Sequence, residues 1–365
     1  KINMSDIVNN TFITFTEGPL IGKSLHSLWL RERLSDKKHL DQINLQRLYE
    51  PSLLDENIYI EKFLHKGNNL MIIFSDGETG NFSIKDILDE VYQHDIFPKK
   101  KQWKENILKK SYHNYKSLKT SLELTIDMLR NFHLFGFVIL THMSKKKGAV
   151  IKFAETLGPV RSTNFGKYFD VISKPNPNDL AYTALGLSPH TDNPYRKPVP
   201  GIQLLHCIVN DAEGGNSTLV DGLKITNYLK KNEKHYFDIL TSVEILFHFA
   251  DKDVVLQNWG RLIELDSKNN FKQIRFSGRL DYVPALNPEQ LTLFYQARKR
   301  LYELCTSKDF MINFRLESGM LVMFDNHRLL HGRTKYDPSS GNRHLQGCYI
   351  EHDVVEGKLR RLLIK

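Results

Sequence analysis

Hydrophobic and polar residues alternate in short stretches along much of the chain, which is the pattern of half-buried β-strands. In the first 93 residues each stretch is only a few positions long, and the last ends at a Ser75-Asp76-Gly77 turn;. We therefore predict a small β-rich N-terminal domain over residues 1–95. Its predicted strands cover residues 11–15, 24–30, 58–63 and 70–74.

A helical period replaces this alternation at three places further along the chain. Apolar residues recur at helical spacing over 122–132 and over 149–157, where Gly158 is placed to end the second helix;. Asn287 is a predicted N-cap, and Pro288 is suited to the first helical turn that follows it;. The predicted inner face of this third helix is Leu291, Phe294, Tyr295, Leu301 and Tyr302.

Many short strands, separated by Gly, Asn and Pro, lie between these helices. The predicted fold class is therefore mainly β with flanking helices, arranged as a double-stranded β-helix, or jelly roll, over residues 119–365. A lysine-rich stretch precedes it and holds Pro98 and Trp103. We predict that this stretch, residues 96–118, is a linker with a helical tail.

Composition excludes some functions and leaves others open. The chain of 365 residues has 51 basic and 42 acidic residues, and its lysines fall in short, scattered runs without an aromatic-basic ladder. We therefore expect no nucleic-acid partner. No apolar run approaches the roughly 20 residues of a membrane span, so no membrane partner is expected. The cysteines Cys207, Cys305 and Cys348 lie in apolar segments, which predicts reduced thiols and a cytoplasmic protein;.

Candidate chemistry begins at His190 and Asp192, which lie two positions apart. In extended backbone this spacing places an imidazole and a carboxylate on one face, where they could bind one metal ion. The same spacing occurs at His39 and Asp41, but there we predict exposed surface residues, because the stretch is polar and flanked by lysine. The two copies differ in the segments that follow them.

Two further histidine motifs follow His190 and Asp192 far along the chain, at 331–333 (His-Gly-Arg) and 343–347 (Arg-His-Leu-Gln-Gly). Two histidines and one carboxylate are the ligand set of the non-heme Fe(II) oxygenases, which leave coordination positions open. His331 is one candidate for the third ligand. His327, His206 and His344 are the alternatives, and any single histidine is more often structural.

Four segments resemble one enzyme family: 190–192 (His-Thr-Asp), 201–208 (Gly-Ile-Gln-Leu-Leu-His-Cys-Ile), 329–333 (Leu-Leu-His-Gly-Arg) and 343–349 (Arg-His-Leu-Gln-Gly-Cys-Tyr). They are similar to the γ-butyrobetaine and trimethyllysine hydroxylases, in the taurine-dioxygenase-like branch of the 2-oxoglutarate-dependent oxygenases. The likeness is close over residues 120–360 and loose over the first hundred. The jelly roll would then be the catalytic domain.

The resemblance implies an Fe(II) site formed by His190, Asp192 and His331, with 2-oxoglutarate and dioxygen as cosubstrates. Oxidative decarboxylation to succinate would be coupled to hydroxylation of a substrate C–H bond. By its position, Arg343 corresponds to the residue that binds the distal carboxylate of 2-oxoglutarate. An arginine suits this role because its planar guanidinium donates two parallel hydrogen bonds to a carboxylate. Arg333 is its rival. By position in the family motif, Leu205 and Ser217 line the cosubstrate pocket.

Two further implications concern the rest of the molecule. Animal members of the family hold a structural zinc in the N-terminal domain mainly through cysteines. No cysteine precedes Cys207 here, so no N-terminal zinc is expected. A homodimer is the expected assembly, by resemblance alone.

The resemblance also suggests a small trimethylammonium substrate held by aromatic rings, each contact contributing roughly 0.5–2 kcal/mol. The carboxylate tail of γ-butyrobetaine is the first choice for the other end, a phosphonate the second and an amino acid the third. Arg196 and Arg279 are predicted cations near the mouth of the site. The remaining candidate substrate-binding residues are Phe165, Phe169, Tyr182, Tyr349, Tyr195, Asn193, Asp179 and Ser277.

Alternative functions remain at this stage. Asn193 stands where the family has a tyrosine, and Asp179 replaces an asparagine in a way that resembles trimethyllysine hydroxylase. A hydroxylase of trimethyllysine or of 2-trimethylaminoethylphosphonate is therefore open, as is a dioxygenase of taurine or another sulfonate. The non-enzyme alternative is a metal-free jelly-roll binding module.

Overall fold

A computed structural model describes residues 7–92, 96–103, 106–172 and 183–364 of the chain. Its contacts divide the chain into two compact units, residues 1–96 and 97–365. None of the described helices is long and apolar enough to cross a membrane.

The first unit contains two three-stranded antiparallel sheets and little helix. Alternate residues of one strand, Leu70, Ile72 and Phe74, are completely buried in its core. The elements are β1 (Ile7–Val8), β2 (Phe12–Thr14), β3 (Ser24–His26), α1 (Ser27–Arg31), a 3-10 turn (Pro51–Leu53), β4 (Ile60–Lys66), β5 (Asn69–Phe74), β6 (Thr79–Ser83) and α2 (Ile84–Val91), with sheet orders β1-β2-β3 and β4-β5-β6.

Two local predictions for this unit were wrong. Residues 27–30 are helical rather than a continuation of β3, because the His26 side chain accepts a hydrogen bond from the Leu28 amide and caps α1;. His39 is buried rather than exposed, and its Nδ1 lies 2.7 Å from a carboxylate oxygen of Asp36.

The second unit holds a six-stranded and a four-stranded sheet, several small sheets, and helices. Its elements are α3 (Ile107–Ser111), β7 (Tyr112–Asn114), α4 (Tyr115–Leu118), α5 (Leu122–Phe135), β8 (Phe137–Thr141), α6 (Ala149–Leu157), β9 (Phe169–Val171), β10 (Leu187–His190), β11 (Ile202–Asn210), β12 (Glu213–Gly214), β13 (Ser217–Asp221), α7 (Gly222–Asn232), α8 (Lys234–Ser242), β14 (Glu244–Ala250), β15 (Val255–Arg261), β16 (Ile263–Leu265), β17 (Phe271–Ile274), β18 (Asp281–Tyr282), α9 (Pro288–Thr306), β19 (Met311–Phe314), β20 (Leu321–Asp325), β21 (Leu329–Arg333), β22 (Tyr336–Asp337), β23 (Arg343–Ile350) and α10 (His352–Leu363).

The two large sheets have the strand orders β7-β8-β20-β11-β23-β9 and β10-β21-β13-β19. Along the chain, the strands β9, β10, β11 and β13 enter the six- and four-stranded sheets in turn, and β19, β20, β21 and β23 repeat the alternation. This topology is a double-stranded β-helix, as predicted.

Side-chain alternation on β11 shows how the sequence produces this layering. Ile202 and Leu204 face the cluster that includes α5, α6 and α10, whereas Leu205 and Cys207 face a second cluster with residues of β13 and β19. An extended strand sends successive side chains to opposite faces, so odd-numbered residues of β11 point into the space between the two sheets.

A long insertion, residues 222–310, separates β13 from β19 and has a core of its own. Its last helix, α9, begins after the predicted N-cap, where the Asn287 side chain accepts from the Gln290 amide. Tyr295 and Tyr302 were predicted to be buried but are 45% and 44% exposed. The buried positions are Phe294, Ala297, Leu301, Leu304 and Cys305.

Most of the stretch predicted as a linker, residues 96–118, belongs to the second unit, which begins at residue 97. Phe97, Trp103 and Ile107 are buried in its apolar clusters, and the Trp103 indole donates to the Phe135 carbonyl at 2.8 Å. β7 pairs in parallel with β8 at the edge of the large sheet. The high lysine content led to the prediction of a linker, but the few apolar residues between the lysines are buried in the second unit.

A buried ion pair connects several elements beneath the four-stranded sheet. Arg328 donates from Nε and Nη2 to the two carboxylate oxygens of Asp221, both at 2.9 Å, and neither side chain is more than 1% exposed. Arg328 also donates to the carbonyls of Leu134 and Lys101. Asp221 in turn caps α7 by accepting from the Leu223 amide.

We expect Asp221→Asn to reduce the free energy of unfolding by about 3–5 kcal/mol, because it leaves the Arg328 charge buried without a partner. Asparagine retains the N-cap function, so the loss reports the ion pair and not the cap. Urea unfolding followed by circular dichroism measures it. The double variant Asp221→Asn/Arg328→Met should recover part of the loss, and equal stabilities of wild type and Asp221→Asn would contradict the assignment.

Candidate active site

The predicted metal ligands meet where β10 pairs with β21. His190 lies opposite His331 in this antiparallel pair, and Asp192 follows two residues after the end of β10. One Asp192 carboxylate oxygen, Oδ1, lies 3.3 Å from Nε2 of His190 and 3.5 Å from Nε2 of His331. Within the described ranges this is the one cluster of three such residues whose ligand atoms lie within 4.8 Å of one another.

Local hydrogen bonds fix the ligand side chains. Nδ1 of His190 lies 2.9 Å from the Ser188 carbonyl, which selects the tautomer with a proton on Nδ1 and a free Nε2;. Thr191, between His190 and Asp192, is held on the other side by hydrogen bonds in both directions with the Phe276 backbone. His190 and Asp192 therefore point to the same side of the chain.

Asn326 fixes the backbone at Asp192, and the sequence interpretation missed it. Its Oδ1 accepts from the Asp192 amide at 2.8 Å, and its Nδ2 donates to the Asp192 carbonyl at 3.0 Å. Asn326 is completely buried in the turn between β20 and β21. The signal was a pair of polar residues, Asp325 and Asn326, directly after the apolar stretch 321–324, but nothing local in the sequence indicates the distant partner of Asn326.

The electrostatics suit a cation bound by neutral imidazoles and one carboxylate. Burial lowers the pKa of His331 to about 3, so this imidazole is neutral near pH 7. Burial raises the pKa of Asp192, but the two imidazoles and a hydrogen bond from Tyr349 outweigh burial and hold that pKa well below its usual range. A neutral imidazole at His331 and an ionised carboxylate at Asp192 are protonation states that metal binding requires.

The alternative histidines lie elsewhere. Nε2 of His327 is 3.0 Å from the Val199 carbonyl, and its ring packs on His352. His344 is hydrogen-bonded to Asp170, and His206 is completely buried between strands. None of the three belongs to the ligand cluster.

Arg343 is a buried cation with no carboxylate within ion-pair distance among the described residues. Its Nη2 donates to the Gly215 carbonyl at 3.3 Å, and its buried Nε has no hydrogen-bond partner. Burial and the nearby Arg333 lower its pKa to about 10, so the guanidinium remains charged at neutral pH. A Cβ at Gly215 would lie 2.8 Å from Nε of Arg343, so only glycine leaves room for this side chain.

The rival, Arg333, has other partners. Its Nη2 donates to the carbonyls of Thr183 and Leu185, both at 2.7 Å, and so holds this loop beside β21. Leu205 on β11 pairs with Gly347 on β23, and its side chain points into the space between the sheets. Ser217 on β13 pairs with Arg333 on β21. Both predicted pocket residues thus lie on strands next to the site, because β11 pairs with β23, which carries Arg343, and β13 pairs with β21, which carries His331.

A cavity with an empty volume of about 670 Å³, including space open to solvent, opens beside the triad. Of the predicted substrate residues, Phe165, Phe169, Asn193, Tyr195, Ser277, Arg279 and Tyr349 line it, together with Leu187, His190, Thr191, Asp192, Phe249 and Leu280. Tyr182 and Asp179 lie outside the described residues.

The aromatic residues of the cavity form two groups. The rings of Phe169 and Tyr349 lie 5.4 Å apart, whereas Tyr195 stacks on Phe249 at 4.8 Å, with Phe165 at the edge of Phe249. Phe249 was not identified from the sequence, because it lies on β14 in the long insertion and looks like any buried strand residue.

Arg196 does not line the cavity, in contrast to its predicted place at the mouth. Its guanidinium carbon lies 5.6 Å from the ring centre of Phe165 and 5.5 Å from that of Tyr195, and its side chain is hydrogen-bonded to Asn164. The second predicted cation, Arg279, is exposed and lines the cavity. Ser277 is buried there, and its Oγ has no hydrogen-bond partner.

The residues present fit iron and a dicarboxylate cosubstrate. Two Nε2 atoms and a carboxylate oxygen converge at one point, and the buried guanidinium of Arg343 has an unpartnered nitrogen that an anion could satisfy;. Gln203, which the sequence interpretation missed, points into the same space from between Phe324 and Tyr349, and its buried Oε1 also lacks a partner.

Comparison with known proteins identifies the class. Residues 109–349 match the family model described as "Taurine catabolism dioxygenase TauD, TfdA family", so the chain belongs to this family. It is a 2-oxoglutarate-dependent dioxygenase with an iron site, and the predictions of family, enzyme class and cofactors are confirmed.

Among its relatives are two enzymes similar to the chain over nearly its whole length. It is 29% identical to γ-butyrobetaine dioxygenase from Pseudomonas sp. (strain AK-1), over 96% of this chain and 92% of the relative. It is 31% identical to human γ-butyrobetaine dioxygenase, over 92% and 90% of the two chains. The solved structure of AAD-2 in complex with Mn(II) and N-oxalylglycine shares the fold, with a TM-score of 0.50 and 17% identity over 63% of this chain and 89% of that one.

His331→Ala should weaken metal binding by more than roughly 10–100-fold, because it removes a proposed ligand itself. A loss of 10–100-fold is typical when a residue that is hydrogen-bonded to a ligand is replaced. The measurement is anaerobic calorimetric titration with Fe(II), repeated with Co(II). His327→Gln is the matched control, since that imidazole is four residues away but outside the cluster. Loss of metal binding in His327→Gln but not in His331→Ala would contradict the assignment.

Proposed function

We propose that the chain hydroxylates an unactivated C–H bond of a small trimethylammonium compound that resembles γ-butyrobetaine. The observation that carries this proposal is a cavity in which aromatic rings, an exposed arginine and two members of the His190–Asp192–His331 cluster, His190 and Asp192, line one space. Two relatives that match nearly the whole chain are named γ-butyrobetaine dioxygenase, which favours the same substrate class.

Aromatic faces are suited to the cationic end of such a substrate. A trimethylammonium group has no N–H to donate, so it is attracted by the negative faces of aromatic rings rather than by hydrogen bonds. Arg196 already lies over the rings of Phe165 and Tyr195. Phe169 and Tyr349 are therefore the better placed pair for the substrate cation.

Arg279 and Ser277 are suited to the anionic end. Among the described residues no carboxylate forms an ion pair with Arg279, and Ser277 offers a buried hydroxyl without a partner on the same cavity wall. A carboxylate remains the first choice for the tail, a phosphonate the second and an amino acid the third. A sulfonate would satisfy Arg279 equally, so taurine is the substrate that the experiment must distinguish.

The chain's own part in the reaction is binding and orientation. His190, Asp192 and His331 would hold the iron, and Arg343 would bind the distal carboxylate of 2-oxoglutarate. Iron, 2-oxoglutarate and dioxygen together supply the oxidation that yields succinate, carbon dioxide and hydroxylated product. The aromatic walls hold one C–H bond near the metal and exclude water, and no protein general base is required.

Location and assembly complete the proposal. A cytoplasmic location is favoured by Cys207, Cys305 and Cys348, which are all buried and free, as expected for thiols that remain reduced;. A homodimer is proposed from the resemblance, without a nucleic-acid or membrane partner. The first unit is proposed to be a separate small domain without a zinc site.

Succinate release should be stimulated by γ-butyrobetaine or a related quaternary amine and not by taurine. The assay compares quaternary amines with carboxylate, phosphonate and amino-acid ends, in the presence of Fe(II), 2-oxoglutarate and oxygen. Stimulation by taurine alone would refute the trimethylammonium proposal.

Arg343→Lys should raise the 2-oxoglutarate requirement by roughly 10-fold or more, because lysine cannot form the bidentate contact and each charged hydrogen bond contributes about 1.5–3 kcal/mol.

Arg279→Gln should raise KM for an anionic-tailed substrate by about two- to fivefold, because an exposed charge pair contributes roughly 0.2–1 kcal/mol. The KM increase should shrink at high salt, where the charge interaction is already screened. Lys252→Gln removes an exposed cation that does not line the cavity and is the matched control. Equal KM values for wild type and Arg279→Gln would exclude Arg279 from substrate binding.

A further inference from the structure

The two oxygens of the Asp192 carboxylate have different surroundings. Oδ1 faces Nε2 of His190 and Nε2 of His331, at 3.3 and 3.5 Å. Oδ2 accepts a hydrogen bond from the Tyr349 hydroxyl at 2.6 Å. A strong charge-assisted hydrogen bond holds Oδ2 in place and leaves Oδ1 as the oxygen that faces the two imidazoles;.

Tyr349 is itself held by two further side chains. Asn193 donates from Nδ2 to the Tyr349 hydroxyl oxygen at 3.2 Å, and its own Oδ1 accepts from the Tyr195 hydroxyl at 2.7 Å. The donor directions are consistent along the whole series, from Tyr195 through Asn193 and Tyr349 to Asp192. We call these three side chains the Tyr195–Asn193–Tyr349 chain.

The backbone is also held at two members of this chain. Asn193 has a φ of 51°, in the left-handed region, which asparagine tolerates better than most residues;. The Tyr349 carbonyl accepts from the Arg161 amide at 2.9 Å, which fixes the backbone near the end of β23.

We propose that Tyr349 is a positioning residue for the metal ligand Asp192, and that the Tyr195–Asn193–Tyr349 chain keeps Asp192 a single-oxygen ligand. The Tyr349 ring borders the substrate cavity while its hydroxyl holds Oδ2. One side chain therefore connects the aromatic wall to the metal site. The proposal requires that the cluster bind a metal, but not that the substrate be a trimethylammonium compound.

Tyr349→Phe removes only the hydroxyl and tests this directly. Without the hydrogen bond, the Asp192 carboxylate is free to rotate and Oδ2 can approach the metal. We therefore expect the affinity for Co(II) to fall by about 10–100-fold, as when other residues hydrogen-bonded to a metal ligand are replaced. The visible absorption spectrum of the Co(II) protein should change with it. Anaerobic calorimetry and spectroscopy measure both effects without any turnover.

Two matched variants separate the hydroxyl from the ring and from the fold. Tyr195→Phe breaks only the far link of the chain, so its Co(II) affinity should fall less than that of Tyr349→Phe. Tyr349→Leu removes the ring as well, and it should weaken γ-butyrobetaine binding where Tyr349→Phe does not. Circular dichroism and thermal unfolding establish that each variant is folded.

Unchanged Co(II) affinity and an unchanged spectrum in folded Tyr349→Phe would overturn the proposal and leave Tyr349 as an aromatic wall residue only. If wild type itself bound no metal, the metal-site assignment would fail together with this proposal. A wild type that binds Co(II) but is not stimulated by any quaternary amine would refute the proposed substrate and leave the role of Tyr349 intact.

Discussion

The pairing of β10 with β21 is the constraint on which the rest of the site depends. It places His190 opposite His331, so that two imidazoles from segments about 140 residues apart in sequence reach one carboxylate oxygen of Asp192. A shift of one residue in this register would turn His331 to the other face of the sheet. The turn that precedes β21 carries Asn326, which binds the backbone of Asp192 from both sides.

The two sheets of the double-stranded β-helix lie on opposite sides of this point, and each carries different residues of the site. The four-stranded sheet carries the histidines, whereas the six-stranded sheet carries Arg343, Gly347 and Tyr349 on one face of β23. Because side chains on a strand repeat every two residues, Arg343 and Tyr349 point into the same interior space at two distances from the metal ligands. Arg343, the proposed cosubstrate residue, and Tyr349, a residue of the cavity wall, therefore lie along one strand.

The long insertion between β13 and β19 has a separate effect. Its core packs against Val220 and Leu330 of the four-stranded sheet, and Phe249, Ser277 and Arg279 from this region complete the cavity wall. The strands of the β-helix therefore carry the candidate metal ligands, whereas the insertion supplies part of the wall beside them.

The sequence by itself determined the family and predicted the candidate metal ligands, Arg343 and most of the residues that line the cavity, because these lie in segments that resemble the family's motifs. It also determined the jelly roll, since the period-two alternation is written locally along each strand. Only the tertiary structure decided that Arg196 lies behind the aromatic rings, that residues 97–118 pack into the second unit, and that Asn326, Phe249 and the Tyr349 hydroxyl contribute to the site. These roles depend on contacts between residues far apart in the chain, and local propensity and spacing carry no information about which distant group a buried polar or aromatic side chain will meet.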